Sequence, residues 1–370
     1  MRVALIHDFL TQYGGAEKVL EALHEIWPEA PVFTLFYDKR AMGKKFADYD
    51  IKVSPIQNLP FGAKKYRWYL SLMPGAIERF NLSNFDLVIS NTSAYSKGVI
   101  TKPRTVFICY CMTPTRYLWS DAYEYIEGLT GLERLAKKVL PPLLTDLRCW
   151  DFLAAQRPDY IVAISKFIVE RIQKYYRRQS DAVIYPPVEV DKFHISKKIA
   201  DYFLLVSRFR PYKRVNLAIE AFNKLKIPLK IIGTGQSAAL KKIAGPYIEF
   251  LGFVSDKVKA EYMSHCLALI HPQEEDFGIT AVEAMASGRP VIAYKAGGVL
   301  ETVIDGVTGR FFNEQTWENL AEAVIKFKPE DFNPGKIRAH ALRFSKERFK
   351  KEIKSFVDSH LPGPTRREVC

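Results

Sequence analysis

Two carboxylates stand eight positions apart in Glu275-Asp276-Phe277-Gly278-Ile279-Thr280-Ala281-Val282-Glu283. Gly278 lies between them, and the apolar run that follows ends at Ser287-Gly288. A glycine lets a backbone pass close to a ligand. The next residues read as the start of a helix, whose leading N–H groups lack internal partners and attract anions. Glu275 then belongs to the loop before the helix, and Glu283 sits one to two turns inside it. That arrangement suits a ligand with both a phosphate and several hydroxyls, such as a nucleotide sugar.

Earlier in the chain, Ser207-Arg208-Phe209-Arg210-Pro211-Tyr212-Lys213-Arg214 falls where an apolar strand meets a helix pattern. Arg208 offers phosphate a planar fork and Lys213 a point charge. Together they could neutralise a diphosphate leaving group without a metal. Alone, the run reads more readily as a solvated basic loop. The Glu275–Glu283 unit in the same half of the chain favours the phosphate reading. Three glycine pairs follow strands: Gly14-Gly15, the run Gly233-Thr234-Gly235-Gln236, and Gly297-Gly298. Each fits close approach to a phosphate or sugar, and each fits a tight turn. Asp276-Phe277-Gly278 spells a kinase metal motif, but the other kinase parts are missing. Asp48-Tyr49-Asp50 lies in a polar turn with no other metal ligand nearby in sequence, so no metal site is expected.

The elements that must position these residues alternate. Strand-like runs at Arg2–His7, Val32–Phe36, Leu87–Ser90, Val106–Cys111 and Ile161–Ser165 are interleaved with helical patterns near Ala16–Ile26, Gly131–Ala155 and Lys166–Arg178. After Pro186-Pro187 a second block begins, with strand-like runs at Tyr202–Ser207, Leu229–Gly233, Ile248–Phe253, Leu267–His271 and Pro290–Ala293. Alternation of this kind predicts two doubly wound parallel sheets, with ligands at the strand ends and a site in the cleft between domains. The tail from Asn333 to Val357 is basic and helical.

The formal net charge is +13 over 370 residues. Nine basic residues face two acids between residues 51 and 118, but no nucleic-acid-binding motif is present, so nucleic acid is not an expected partner. Phosphate-bearing substrates and an anionic membrane surface remain. The segment Phe61–Met73 mixes Lys64, Lys65 and Arg67 with Trp68 and two tyrosines. A helix there could lie on an anionic membrane or pack as an ordinary amphipathic helix. No run of 18 apolar residues occurs. The five cysteines show no metal spacing, and reduced cytosolic thiols are expected.

These residues together resemble the retaining glycosyltransferases of family 4, which have the GT-B fold. The resemblance is strongest from Tyr202 to Phe312, where Ser207-Arg208, Lys213-Arg214, Leu251-Gly252, the Glu275–Glu283 motif and Gly297-Gly298…Glu301 fall in family order. The amino half, with His7-Asp8, Gly14-Gly15-Ala16-Glu17 and Cys111-Met112-Thr113-Pro114-Thr115-Arg116-Tyr117, resembles bacterial and archaeal mannosyltransferases of surface polysaccharide synthesis. The resemblance implies an acceptor-binding domain over residues 1–190 and a donor-binding domain over 191–340. A C-terminal helix, 341–370, would pack back across the cleft. It implies Arg208 and Lys213 on the donor diphosphate, Glu275 facing the transferred sugar, and Glu283 on the ribose. Phe277, Gly278, Ile279 and Thr280 would contact sugar and phosphate, Phe253 and Val254 would lie against the base, and Gly14 and Gly15 would approach the donor. Met112 and Arg116 would stand on the sugar and acceptor side. Met112 takes the place where this branch carries a histidine, and it cannot hydrogen-bond as a histidine does.

The implied activity is transfer of a hexose, mannose from GDP-mannose foremost, to a lipid-linked or polysaccharide acceptor. It would need neither cofactor nor metal, and it would act at the cytoplasmic face of the cell membrane. Two other readings keep the fold: a nucleotide-sugar-binding subunit without turnover, and a nucleotide-sugar epimerase.

Overall fold

The computed structural model describes residues 1–128, 137, 140–235 and 237–361. The chain divides into two compact units. One holds Met1–Tyr185 and the residues from Phe349 onward, and the other holds Pro186–Arg348.

The first unit is built on seven strands: β1 (Val3–Leu10), β2 (Val32–Tyr37), β3 (Ile51–Val53), β4 (Leu87–Thr92), β5 (Val106–Cys111), β6 (Tyr160–Ala163) and β7 (Ala182–Val183). All pair in parallel, in the order β3-β2-β1-β4-β5-β6-β7. β4 is buried along its whole length, as a central parallel strand covered on both faces must be. Between β1 and β4 the strand order reverses, and Asp8 ties the two strand ends together. Its carboxylate accepts the backbone N–H groups of Ser93 (2.6 Å), Tyr95 (2.8 Å) and Ser96 (2.6 Å).

Two expectations change here. Lys97, one of the nine basic residues between 51 and 118, does not face an anionic surface: it is buried and donates to Asp151 at 2.5 Å, while Thr115 and Trp119 donate to the same carboxylate. The Phe61–Met73 segment is not one helix. It forms short 3₁₀ turns at Gly62–Lys64 and Tyr66–Leu72, with Phe61 in the left-handed region (φ 59°) and a non-helical kink at Tyr69. Of the helix expected over Gly131–Ala155, the described part is Leu140–Ala154; its earlier residues lie outside the described ones. At the other end of the chain Phe349, Ile353 and Val357 are buried, with the Phe349 ring 5.5 Å from that of Tyr110. The C-terminal helix thus packs on the first unit.

The second unit has six parallel strands: β8 (Phe203–Val206), β9 (Leu229–Ile232), β10 (Ile248–Gly252), β11 (Leu269–His271), β12 (Val291–Tyr294) and β13 (Gly309–Phe312), in the order β10-β9-β8-β11-β12-β13. Its order reverses between β8 and β11. The C-terminal ends of those two strands open the crevice where such sheets bind ligands. Arg208 and Lys213 follow β8, and Glu275 follows β11.

Candidate donor site of the second unit

The switch point brings opposite charges together. Lys213, at the end of a short 3₁₀ turn before the helix Val215–Leu225, forms an ion pair with Glu275 Oε1. Both side chains are largely shielded from solvent, at 15% and 17% exposure. On the other carboxylate oxygen, His271 Nε2 stands 3.8 Å from Glu275 Oε2. His271 is the last residue of β11 and is fully buried. Burial, and then the nearby Lys213 charge, push its imidazole down to about 3, so the ring is neutral.

Each of the two strand-end loops is braced by a glycine pair from the neighbouring connection. Glu275 bridges Gly297 in parallel, and the Gly298 N–H donates to Glu275 O at 2.8 Å. A Cβ on Gly298 would stand 2.4 Å from Asp276 O, so only glycine fits there. Gly233 and Gly235 do the same for the loop carrying Arg208. A Cβ on Gly233 would meet Ser207 O at 1.8 Å, and Phe209 N donates to Thr234 O. Packing against that loop accounts for this run; its last residue, Gln236, lies outside the described residues. Arg208 itself is exposed.

Gly278 caps the helix Ile279–Ala286 in the left-handed region (φ 89°, ψ 53°). Its carbonyl accepts from Ala281 and Val282, so the helix starts as the motif requires, with Ile279 and Thr280 in its first turn and Phe277 buried beneath. Glu283 lies inside this helix and is 2% exposed. Lys259, on the helix Asp256–His265, donates to Glu283 Oε2 at 2.8 Å. Phe253 follows β10 and is 84% exposed, with Val254 half-buried beside it.

The remaining expected residues belong to the first unit. Gly14 caps the helix Gly15–Ile26 with an extended backbone (φ −165°), which any residue adopts, so no glycine is required by conformation there. Met112 follows β5 and is partly buried, its N–H donating to Thr92 O at 2.8 Å. Arg116 Nε stands 3.6 Å from Asp121 Oδ2. Lys64, Lys65, Arg67 and Trp68 are all exposed. Sequence reasoning missed Lys259, His271 and Gln273. The only signal was a histidine closing the strand that precedes the carboxylate loop.

Residues 189–346 match the family model described as Glycosyl transferases group 1. An uncharacterized glycosyltransferase of Methanocaldococcus jannaschii is 32% identical over 181 residues, covering 47% of this chain and 50% of that protein. This chain therefore spans about half the length of that relative. An alpha-1,3/1,6-mannosyltransferase of Schizosaccharomyces pombe is 25% identical over 389 residues, covering 86% and 72%. Among solved structures, Anabaena HepE in complex with UDP and glucose superposes with a TM-score of 0.70 at 18% identity, covering 97% of this chain and 100% of that one. That likeness gives the GT-B fold. The unit that carries the Lys213–Glu275 pair is thus the part of the chain that resembles the glycosyl transferases group 1, within a chain of GT-B fold.

Proposed function

We propose that this chain transfers a hexose from a nucleotide diphosphate sugar, GDP-mannose foremost, to a lipid-linked or polysaccharide acceptor, with no metal. The observation that carries this is the Lys213–Glu275 pair at the β8/β11 switch point, beside a glycine-capped helix start. A cation and a hydroxyl acceptor at one strand-end crevice suit a sugar diphosphate. Lys213, with Arg208, would take the charge that develops on the leaving diphosphate. Glu275 would accept sugar hydroxyls, and Glu283, anchored by Lys259, would accept those of the ribose. The mannosyltransferase name of the fission yeast relative favours mannose among hexoses.

The membrane half of the proposal rests on Phe61, Trp68 and Leu72, which are 62%, 55% and 48% exposed beside Lys64, Lys65 and Arg67. Large apolar side chains in solvent beside several cations suit the interface of an anionic bilayer. No helix among the described residues is long and apolar enough to cross a membrane.

The test is thermal-shift binding of GDP-mannose, UDP-glucose, UDP-N-acetylglucosamine and UDP-galactose with EDTA present, for wild type and Lys213→Met. A ligand of the folded state raises the melting midpoint with concentration. One donor stabilising wild type and not the variant supports the reading; no shift with any donor sinks it.

A further inference from the structure

The Glu275 carboxylate faces two donors on opposite oxygens. Lys213 takes Oε1, and His271 Nε2 faces Oε2 from 3.8 Å, beyond hydrogen-bond distance. The His271 ring is set from behind. Gln273 Nε2 lies 3.2 Å from His271 Nδ1. An amide nitrogen only donates, so Nδ1 accepts and the neutral ring carries its proton on Nε2. That Nε2 is buried without a hydrogen-bond partner, as is Gln273 Oε1. It lies under the Gly278 corner: a Cβ built there would stand 3.7 Å away. A buried donor left unsatisfied is costly and calls for an explanation.

We infer that His271 is a positioning residue for Glu275, the donor that holds Oε2 when a diphosphate draws Lys213 away from Oε1. This rests on the nucleotide-sugar reading above. A diphosphate competes with Glu275 for the Lys213 ammonium. Once Lys213 turns to it, a mostly shielded carboxylate would be left with no cation, an unfavourable state. His271 Nε2–H is less than an ångström from hydrogen-bond range of Oε2 and closes that gap without adding a charge. The lone pairs released on Oε1 then face the crevice and can accept a sugar hydroxyl. Sugar recognition is thereby switched on by the diphosphate. A charged imidazole would instead compete with Lys213 in the resting state, and burial keeps the ring neutral.

The experiment compares two probe pairs, GDP with GDP-mannose and UDP with UDP-glucose, by calorimetry on the full chain. For the pair that binds, the sugar nucleotide of wild type should bind tighter than its diphosphate. His271→Phe should lower the affinity of the sugar nucleotide about tenfold, the size of one hydrogen bond to a charged group, and leave the diphosphate within about twofold. His271→Gln, which can still donate, should restore part of the difference. If His271→Phe does not fold, Gln273→Met takes its place with the same expected split. Independently of any nucleotide, long-range ¹H–¹⁵N spectra of the ligand-free chain should show His271 protonated on Nε2 alone at pH 7. Equal weakening of both members of a pair, no change in either, or a proton on Nδ1 overturns the inference while leaving the nucleotide-sugar reading intact. If neither pair binds wild type, both fall together.

Discussion

Lys259 and Glu283 illustrate how little of a site single residues announce. Glu283 was legible because it closes a motif. Lys259 was not, since a lysine on a polar helix looks the same whether it faces water or a carboxylate. Removing Glu283 alone leaves the Lys259 ammonium, 14% exposed, without its nearest carboxylate. Glu283→Ala should therefore lower the unfolding free energy by about 2 kcal/mol. Glu283→Ala with Lys259→Met should recover at least half of that, because no shielded charge is then left over. Urea denaturation measures both; equal losses in single and double variants would show the pair to be energetically idle. His271 supplies a pH signature at the same scale. The unfolded chain binds a proton there below about pH 6.5, whereas the folded chain does not until about pH 3. The unfolded state thus binds more protons across that window, and stability rises with pH through it. Its share of stability is complete above pH 6.5 and is lost as pH falls toward 3, by at most about 1.4 kcal/mol per pH unit. His271→Phe should flatten the stability profile between pH 6.5 and 4.5; an unchanged slope would place the proton uptake on other groups.

At the scale of elements, the strand and helix alternation was readable because buried parallel strands are short apolar runs. β3, β7 and β13 were not anticipated: β3 and β7 are three and two residues long, and β13 carries Arg310 between a glycine and two phenylalanines. The basic aromatic segment was misread as a helix for a local reason. Phe61 turns left-handed, and the turns around it close by 3₁₀ bonds, so the chain presents Phe61, Trp68 and Leu72 outward while Leu70 and Met73 enter the core. Replacing Lys64, Lys65 and Arg67 with glutamine should release the protein from vesicles containing phosphatidylserine, with each cation worth about 1 kcal/mol at such a surface. Failure of the intact protein to sediment with those vesicles would end the membrane assignment. The glycine braces offer a cleaner comparison. Gly297 and Gly306 have almost the same φ, 73° and 72°, but a Cβ on Gly297 would meet Glu275 O at 2.5 Å, and one on Gly306 would meet nothing. Gly306→Ala should then cost only the backbone strain, about 1 kcal/mol. Gly297→Ala should cost clearly more and abolish donor thermal shifts by displacing Glu275. Equal melting midpoints for the two variants would show that the brace does not hold the carboxylate loop.

At the scale of the whole molecule, the second unit is an insertion in the first. The chain enters it at Pro186 and leaves it at Arg348, and the first unit resumes with Phe349. The sequence showed the entry as two prolines. The exit expected after residue 340 falls short of it, because Lys346–His360 is one continuous helix across that boundary and no composition change marks it. The two crossings are bonded to each other. Val188 N donates to Phe344 O at 3.0 Å, Lys346 N to Val188 O at 3.1 Å, and Arg348 Nη2 to Pro186 O at 3.3 Å. A unit whose ends meet needs little from the rest of the chain to close its fold, and its length lies within the usual range of independent domains. It also holds a complete sheet, both strand-end loops that carry Lys213 and Glu275, their glycine braces and the Lys259–Glu283 pair. Residues 186–348 expressed alone should therefore unfold in a single cooperative transition and keep the thermal shift given by the diphosphate of the bound donor. A fragment that lacks a transition would show that the two crossings depend on the helix continuing past Arg348. One that folds but ignores the diphosphate would show that residues 186–348 do not suffice for binding.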